Sequence, residues 1–236
     1  MTDLFDLTGR TALVTGSSRG IGRALAGGLA AAGAHVVLHG RNRVVLEQQA
    51  EALAAGGAAV STVAFDVTDE EAGEHGVAEL TERVGAIDVL VNNAGAQSRA
   101  PFTEFPVAEW HRLVATNLTS AFLVGRAVAR GMQERGAGKI IHIGSVQSML
   151  GRPGITPYAA TKGGIAMLTR GMCADLGPSG IQVNAIAPGY FATELTASLV
   201  ADPAFSGWVE QRTPAGRWGR VEDLVGAAVF LSLIHI

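Results

Sequence analysis

The stretch "TALVTGSSRGIG" at residues 11–22 joins an apolar, β-branched run to a glycine-rich loop. The apolar run predicts a buried strand, and the Ala- and Leu-rich residues 21–32 that follow predict a helix. In such a unit Gly16, Gly20 and Gly22 permit a tight turn, close approach of a pyrophosphate to the backbone, and close packing of the helix. The stretch therefore predicts a dinucleotide-binding unit, with a purely structural turn as the alternative.

Apolar runs and helical stretches alternate along the rest of the 236 residues. Further strands are predicted at 35–40, 60–67, 87–95, 138–145 and 181–189. Helices are predicted at 43–55, about 70–84, roughly 107–135 and 221–230, and one more holds residues 158–162 and runs to about 176. Alternation of this kind is typical of βαβ units with a parallel sheet covered on both faces. The prediction is an α/β fold, a Rossmann-type doubly wound parallel sheet, in one domain over residues 1–236.

The composition narrows the class of protein. Hydrophobic residues make up 48% and charged residues 17%, which indicates a folded chain with a large core. A net charge of -3 gives no reason to expect a nucleic-acid or anionic-membrane partner. The single cysteine, Cys173, cannot form an internal disulfide, and we expect it to be a small buried residue. We find no signal peptide and no apolar run of membrane-spanning length, and therefore expect a cytoplasmic location.

The second predicted strand runs into "HGRNR" (39–43), where a site for NAD would need a carboxylate. Arg41 stands there instead, and a guanidinium can bind a 2′-phosphate through charge-assisted hydrogen bonds. Arg19 in the glycine loop could flank the same phosphate. We therefore expect NADP(H) rather than NAD(H), the alternative being that Arg41 and Arg43 are solvated loop charges.

The ends of two more predicted strands carry residues that could line the cofactor site. Asp66, in "FDVTD", could accept a hydrogen bond from the adenine amino group. The small residues of "NNAG" (92–95) allow a ribose to lie against the backbone. Asn92 has an equally plain structural interpretation, which is that it ties strand ends together.

The segment "YAATK" (158–162) places Tyr158 and Lys162 on one face of a helix. A free phenol has a pKa near ~10, and we expect the Lys162 ammonium, with the positive nicotinamide ring, to lower it. Tyr158 would then serve as general acid in ketone reduction and general base in alcohol oxidation. The alternative is an ordinary i, i+4 pair on a helix.

Two further polar residues support the catalytic interpretation. Ser145 ends the fifth predicted strand, at the carboxyl edge where open α/β sheets bind ligands. Asn117 lies in the middle of a predicted helix, where asparagine is unfavourable. Alone, Asn117 would be interpreted as an exposed helix residue. We expect no catalytic metal among the six histidines.

"TGSSRGIG" (15–22), "NNAG", Asn117, Ser145, "YAATK" and "PGYFAT" (188–193) resemble, in order and spacing, the short-chain dehydrogenase/reductase family. The resemblance implies a catalytic set of Asn117, Ser145, Tyr158 and Lys162. It also implies that Lys162 holds the nicotinamide ribose, that Asn117 steadies a water, and that the protein is a homotetramer or homodimer. The expected cofactor-binding residues are Gly16, Ser18, Arg19, Gly20, Ile21, Gly22, Arg41, Asn42, Asp66, Val67, Asn93, Ala94, Gly95, Tyr158, Lys162, Pro188, Gly189 and Thr193.

A narrower resemblance, carried by "SVQS" (145–148), "RPGITPY" (152–158), "NAIAPGYFATEL" (184–195) and "RTPAGRWG" (212–219), is to the group that interconverts D-gluconate and 5-keto-D-gluconate. The expected substrate-binding residues are Ser145, Tyr158, Gln147 and Arg99, with Arg99 on the substrate carboxylate. Arg99 as an exposed loop residue is the alternative. A 3-oxoacyl carrier-protein reductase, another ketone or polyol dehydrogenase, and a non-catalytic NADPH-binding regulator are the alternative functions.

The family resemblance bears on the last quarter of the chain as well. It implies a substrate lid at 190–220, where Phe205, Trp208 and Trp218 either close over the substrate or pack the lid on the core. It also implies one further strand after residue 230. We therefore expect the C-terminal strand to be truncated. The ending "LSLIHI" is also what one reading frame of a common transposon sequencing adapter encodes, so we expect residues 231 or 232 to 236 to be non-native.

Overall fold

The computed structural model describes residues 4–233, which contain one six-stranded parallel sheet. The strands are β1 (Thr11–Val14), β2 (His35–Gly40), β3 (Val60–Ala64), β4 (Val89–Asn92), β5 (Gly138–Ile143) and β6 (Ile181–Ile186). Their order is β3-β2-β1-β4-β5-β6, and every neighbouring pair is parallel. The strand order reverses between β1 and β4, which confirms the predicted doubly wound α/β fold and places a ligand crevice at that point.

Nine α-helices connect or follow the strands of the described residues. They are α1 (Gly20–Ala31), α2 (Arg43–Ala54), α3 (Glu70–Val84), α4 (Val107–Val114), α5 (Ser120–Arg135), α6 (Thr156–Leu176), α7 (Ala197–Val200), α8 (Pro203–Arg212) and α9 (Val225–Leu231). Several strands end earlier than predicted, because the residues after Ala64, Asn92 and Ile143 leave the sheet and turn over its carboxyl edge. Those residues are available to line a site.

Alternate residues of each strand enter two separate cores, as the two-residue period of a strand requires. Ala12 and Val14 of β1 pack on one face with Leu25 and Leu29 of α1. Leu13 points to the other face and packs in the cluster that contains Val124 of α5. Both faces of the sheet are therefore buried, which is why its strands read as continuous apolar runs.

The helix starts differ in a way that matters for the site. The side chain of Asn42 accepts from the backbone N–H of Val45 and caps α2, and Asp69 caps α3 in the same way. Arg19, which precedes α1, makes no capping hydrogen bond with its side chain. The first amides of α1 are therefore left without a side-chain acceptor.

The predicted single helix at 107–135 is wrong in one respect, because a π-helical turn at Ala115–Thr119 separates α4 from α5. Asn117 lies in this turn and is buried. Its side chain bonds to the loop after β4 rather than to solvent. A π turn of this kind is frequent at functional sites, so the unfavourable mid-helix asparagine marks a local departure from α geometry.

Two other expectations concern the ends and surface of the chain. Cys173 is exposed on α6, so the prediction of a small buried cysteine is wrong. Cys173 lies in the last turn of α6, where residues 173–175 are all exposed. Residues 234–236 lie outside the described residues, so the expectation of a non-native 231–236 segment and a missing strand stays a prediction. Within residues 4–233, no helix has both the length and the apolar character required to cross a membrane.

Candidate active site

A cavity of about 940 Å³ opens at the carboxyl edge of β1, β4 and β5. It runs from the glycine loop to the turn after β5 and the start of α6. Every residue expected to bind cofactor or substrate lines it, apart from Asn42 and Asn117. Asn42 is occupied as the cap of α2. The volume is at the upper end of the range for ligand pockets, so the cavity has room for a dinucleotide and a small substrate.

The glycine loop closes tightly on the end of β4. The side-chain amide of Asn93 donates to the carbonyl oxygens of Thr15 and Gly16, at 2.9 and 3.1 Å. A Cβ atom on Gly22 would stand 2.3 Å from Asn93 Nδ2 and 2.5 Å from the Gly16 carbonyl oxygen. Gly22 is therefore required for close packing of α1, as the sequence predicted.

Thr15 and His39 support this loop, and sequence analysis missed both. Thr15 Oγ1 accepts from the backbone N–H groups of Asn93 and Ala94, at 2.9 and 3.1 Å. His39 Nδ1 accepts from the N–H of Gly16 at 3.2 Å, which fixes the loop to the end of β2. A hydroxyl next to a glycine and a histidine before "GR" are too common in sequences to have predicted these contacts.

The loop meets the requirements of a pyrophosphate site. Gly20, Ile21 and Gly22 line the cavity at the start of α1. No side chain caps the helix start, and no acidic residue lies in its first turn. Free N–H groups and the positive end of a helix dipole together favour an anion. The residues present therefore fit the phosphates of a dinucleotide.

The candidate adenosine end carries one exposed cation and one acid. The Arg41 side chain is 80% exposed, and its Nη1 lies 3.7 Å from Asp66 Oδ2. Asp66 also accepts from the N–H and hydroxyl of Thr68. The pKa of the Asp66 carboxyl lies below its usual value, chiefly because of the Thr68 N–H donor. Arg41 is loosely held, so it is free to reorient toward a 2′-phosphate.

Tyr158 and Ser145 meet in the cavity, as predicted. Both side chains line it. Burial raises the pKa of the Tyr158 phenol, and the nearby Ser145 side chain opposes that effect without cancelling it. In this structure burial is the dominant influence on the phenol, and the lowering expected from Lys162 together with a bound nicotinamide stays a prediction. A phenol that stays protonated at neutral pH is suited to donating a proton.

Lys162 is buried beside Tyr158 rather than bonded to its hydroxyl. Its ammonium donates to the carbonyl oxygen of Ile143 at 2.6 Å and lies 5.8 Å from the centre of the Tyr158 ring. Burial lowers the pKa of Lys162 from 10.5 to about 8. The lysine is thus anchored at the end of β5, with its remaining N–H donors directed to the region that Tyr158 and Ser145 line.

Asn117 is held by three hydrogen bonds to protein groups. Its Oδ1 accepts from the Ala96 N–H at 2.7 Å, and its Nδ2 donates to the Ala96 carbonyl at 2.9 Å and to Thr161 Oγ1 at 3.2 Å. Thr161 in turn donates to the Tyr158 carbonyl at 2.8 Å. Asn117 therefore links the loop after β4 to the helix that carries Tyr158, although it does not line the cavity.

The opposite end of the cavity is rich in polar atoms. Arg99 and Gln147, which sequence analysis singled out, both line it. The Arg99 guanidinium donates to Gln97 Oε1 at 2.9 Å. Arg152, which the sequence did not single out, lines the same end. No periodic pattern or strand-end position distinguishes this arginine, which is why the sequence could not identify it.

Other candidates prove to be structural. Asn92 donates to the Ala121 carbonyl at 3.2 Å and ties β4 to α5, in agreement with the structural interpretation of this residue. Phe205, Trp208 and Trp218 do not line the cavity and pack against Tyr190 at ring distances of 5.7 to 5.8 Å.

Within residues 4–233, no group of three or more His, Cys, Asp and Glu residues is placed to hold a metal ion. The expectation of no catalytic metal stays a prediction.

The fold and site define a class of protein. A sequence profile described as short chain dehydrogenase matches residues 10–204. The glycine loop after β1, the switch point between β1 and β4, and the Ser145–Tyr158–Lys162 group lie within the matched residues. The chain therefore belongs to the short chain dehydrogenase family.

Within the family, the relatives point to one group. The chain is 57% identical to gluconate 5-dehydrogenase of Gluconobacter oxydans over 98% of this chain and 90% of that protein. It is 52% identical to 5-keto-D-gluconate 5-reductase of Escherichia coli over 98% and 91% of the two chains. A crystal structure of a gluconate 5-dehydrogenase from Burkholderia cenocepacia, in complex with NADP and tartrate, matches with a TM-score of 0.97 and 54% identity over 99% and 91%.

Proposed function

We propose that this chain is an NADP-dependent oxidoreductase that interconverts D-gluconate and 5-keto-D-gluconate. The observation that carries the proposal is the 57% identity, over nearly the whole chain, to a relative named gluconate 5-dehydrogenase. The Ser145–Tyr158–Lys162 arrangement supports an activity on a ketone or secondary alcohol, and the arginines at the far end of the cavity support an acidic substrate.

Tyr158 moves the proton in the proposed reaction. The phenol donates its proton to the carbonyl oxygen of the ketone, and the Ser145 hydroxyl donates a hydrogen bond to the same oxygen. When bound, NADP(H) supplies or accepts the hydride. Near neutral pH the acid form of the phenol is present, which is the form that donates a proton in ketone reduction.

Lys162 and Asn117 position the reacting groups. The Lys162 ammonium is fixed by the Ile143 carbonyl and directs its remaining N–H groups toward hydroxyls of the nicotinamide ribose. Asn117 holds the loop at Ala96 against α6, which keeps Tyr158 in place. Pro188, Gly189 and Thr193 line the same part of the cavity and cover the nicotinamide.

Arg41 selects the phosphorylated cofactor. Its exposed guanidinium replaces the carboxylate that an NAD site would carry, and Arg19 lines the same cavity. We expect Arg41→Ala to weaken NADPH binding by about tenfold or more, since a charge-assisted hydrogen bond is lost, and to leave NADH binding unchanged. Titration of both cofactors tests this. Equal weakening for NADPH and NADH would assign Arg41 to a structural role.

Arg99 and Gln147 bind the substrate. Arg99 faces the cavity from the loop after β4, and its guanidinium can donate two hydrogen bonds to a carboxylate in a bidentate arrangement. Gln147 is buried next to Ser145, and its Oε1 has no hydrogen-bond partner in the described part of the chain. A substrate hydroxyl would satisfy that acceptor.

Loss of NADPH absorbance with a panel of ketones tests the proposed function. The panel contains 5-keto-D-gluconate, an acetoacetyl thioester and a simple ketone. We expect 5-keto-D-gluconate to give the highest kcat/KM. Preference for the thioester would favour a 3-oxoacyl reductase, to which this chain also has a relative, from Vibrio harveyi, at 37% identity. NADPH binding without turnover of any ketone would favour a non-catalytic regulator.

We also infer a cytoplasmic homo-oligomer, tetramer or dimer, with no nucleic-acid or membrane partner and with one domain over residues 1–236. Exposed apolar side chains on α5 and α6, among them Phe122 and Met167, support self-association. Light scattering after size exclusion should give two or four times the mass of the chain. A monomeric mass at micromolar concentration would contradict this part of the proposal.

A further inference from the structure

Arg152 presents an unsatisfied cation to the substrate end of the cavity. It lies between the turn after β5 and the start of α6, and it lines the cavity together with Ser145 and Tyr158. Its Nε atom is buried and has no hydrogen-bond partner among residues 4–233. A buried guanidinium donor that lacks an acceptor costs free energy. A ligand acceptor at this position would remove that cost.

A second arginine lies close by, and neither is neutralised. The pKa of the Arg99 guanidinium is lowered by burial and, to a smaller extent, by the charge of Arg152. Within residues 4–233, neither Arg99 nor Arg152 forms an ion pair with a carboxylate. Arg112, the third arginine lining this end, differs because Glu109 accepts from its Nε and Nη2 at 2.8 and 2.7 Å. Arg99 and Arg152 therefore form a cationic pair without a protein counter-ion.

Phe205, which belongs to an aromatic cluster with Tyr190, Trp208 and Trp218, contacts Arg152 from one side. The guanidinium carbon of Arg152 lies 5.2 Å from the centre of the Phe205 ring. Phe205 packs against Tyr190 and Trp208 at 5.7 and 5.5 Å. A stacked guanidinium keeps its N–H donors in the plane, free for hydrogen bonds at its edge. The stacking thus orients Arg152 without consuming its donors.

We infer that Arg152 binds the substrate carboxylate together with Arg99 and so selects ketones that carry a carboxylate. This inference rests on the proposed function in placing the ketone oxygen at Tyr158 and Ser145. The buried Gln147 Oε1 and the buried Tyr190 hydroxyl also lack hydrogen-bond partners among residues 4–233. Both suit the hydroxyl groups of a chain that extends from the carboxylate to the ketone.

Kinetics of Arg152→Met with matched substrates test the inference. The substrates are 5-keto-D-gluconate and its methyl ester, which has the same carbon chain without the negative charge. We expect the variant to raise KM for the acid by at least about tenfold, equivalent to about 1.4 kcal/mol, and to leave KM for the ester within about twofold. Arg152→Lys should retain part of the preference for the acid. Arg112→Met, which removes a cation already paired with Glu109, should retain all of it.

The outcomes separate this inference from the proposed function. An equal rise of KM for acid and ester, or no rise for either, with NADPH binding intact, would overturn the role of Arg152 while the proposed function stands. If the native chain reduces another keto acid but not 5-keto-D-gluconate, the proposed function fails. Acetoacetate and its methyl ester then give the same acid-to-ester comparison. Turnover of uncharged ketones alone would overturn both.

Discussion

Tyr158 and Lys162 are neighbouring buried groups whose pKa values move in opposite directions. Burial disfavours the charged form of each, so it raises the pKa of the phenol and lowers the pKa of the ammonium. At neutral pH both groups keep their protons. The pair is therefore set to give a proton to a ketone, and the lysine loses its charge first as the pH rises.

The pH dependence of ketone reduction follows from this order. The pKa of Lys162 is about 8, and its cation is needed to hold the ribose and support Tyr158. We expect kcat/KM for 5-keto-D-gluconate, measured with NADPH, to fall as the pH rises through about 8. Lys162→Arg should have a lower kcat/KM at every pH. Because its guanidinium stays charged, its kcat/KM should not fall as the pH rises through about 8. A native profile that is flat up to about pH 10 would contradict the assignment.

The spacing of Tyr158 and Lys162 could be predicted from the sequence, but their protonation could not. An i, i+4 pair shares a helix face in any sequence. The pKa values depend on how deeply the helix is buried against β5, and a single sequence does not contain that information. For the same reason Arg152 was missed: its partner-free Nε is a property of the folded cavity.

The loop between β1 and α1 is the element on which cofactor binding depends. A methyl group at Gly22 would displace either Asn93 or the Gly16 carbonyl, and overpacking of this kind costs roughly 1–3 kcal/mol. We expect Gly22→Ala to weaken NADPH binding by about tenfold or more. Fluorescence titration with NADPH provides the measurement.

Gly27 in the same helix is the matched control. A Cβ there would meet only Leu53 Cδ2, at 3.8 Å. Gly27→Ala should keep NADPH binding and stabilise the chain by roughly 0.5–1 kcal/mol, because glycine is unfavourable inside a helix. Native affinity in Gly22→Ala, or equal loss in both variants, would show that close packing of the loop is not the cause.

Elements were predicted well where a local pattern decides them. The glycines mark the start of α1, and the two-residue alternation is reproduced in β1, where Ala12 and Leu13 enter different cores. The break at Ala115–Thr119 was missed, because it depends on Asn117 reaching the loop at Ala96, a contact between distant residues. Cys173 was misplaced because residues 173–175 at the end of α6 are exposed, and a single sequence does not show where along a helix burial ends.

The molecule as a whole contains two buried neutral histidines near the centre of the sheet. Burial lowers the pKa of His39 and of His142 from 6.5 to about 4. The unfolded chain takes up these protons first, so stability is complete above about pH 6.5 and falls as the pH drops toward about 4. Each shift corresponds to roughly 3 kcal/mol.

Urea unfolding at about pH 7.5 and about pH 5 tests this pH dependence. We expect the midpoint to be clearly lower at the acidic pH. The decrease should be smaller in His142→Asn, which removes one of the two groups, and unchanged in His75→Gln, which alters an exposed histidine. Equal midpoints at both pH values for the native chain would contradict the burial of neutral histidines.

For the molecule as a whole, the sequence predicted the class of fold but not the order of the strands in the sheet. Alternating apolar runs and helices predict a covered parallel sheet, and the structure confirms one. The strand order, which places β1 next to β4 and brings Ser145 to the glycine loop, is set by packing between segments far apart in the chain. Motifs identify the participants, and the order of the strands brings them together.

The most direct test of the whole account is the Tyr158→Phe variant. NADPH oxidation with 5-keto-D-gluconate and the Kd for NADPH are measured on the same preparation of native and variant protein. The account predicts an unchanged Kd and a kcat lower by about 10²–10⁴-fold, the usual contribution of a general acid. A variant that retains native kcat would contradict the claim that this phenol carries the proton.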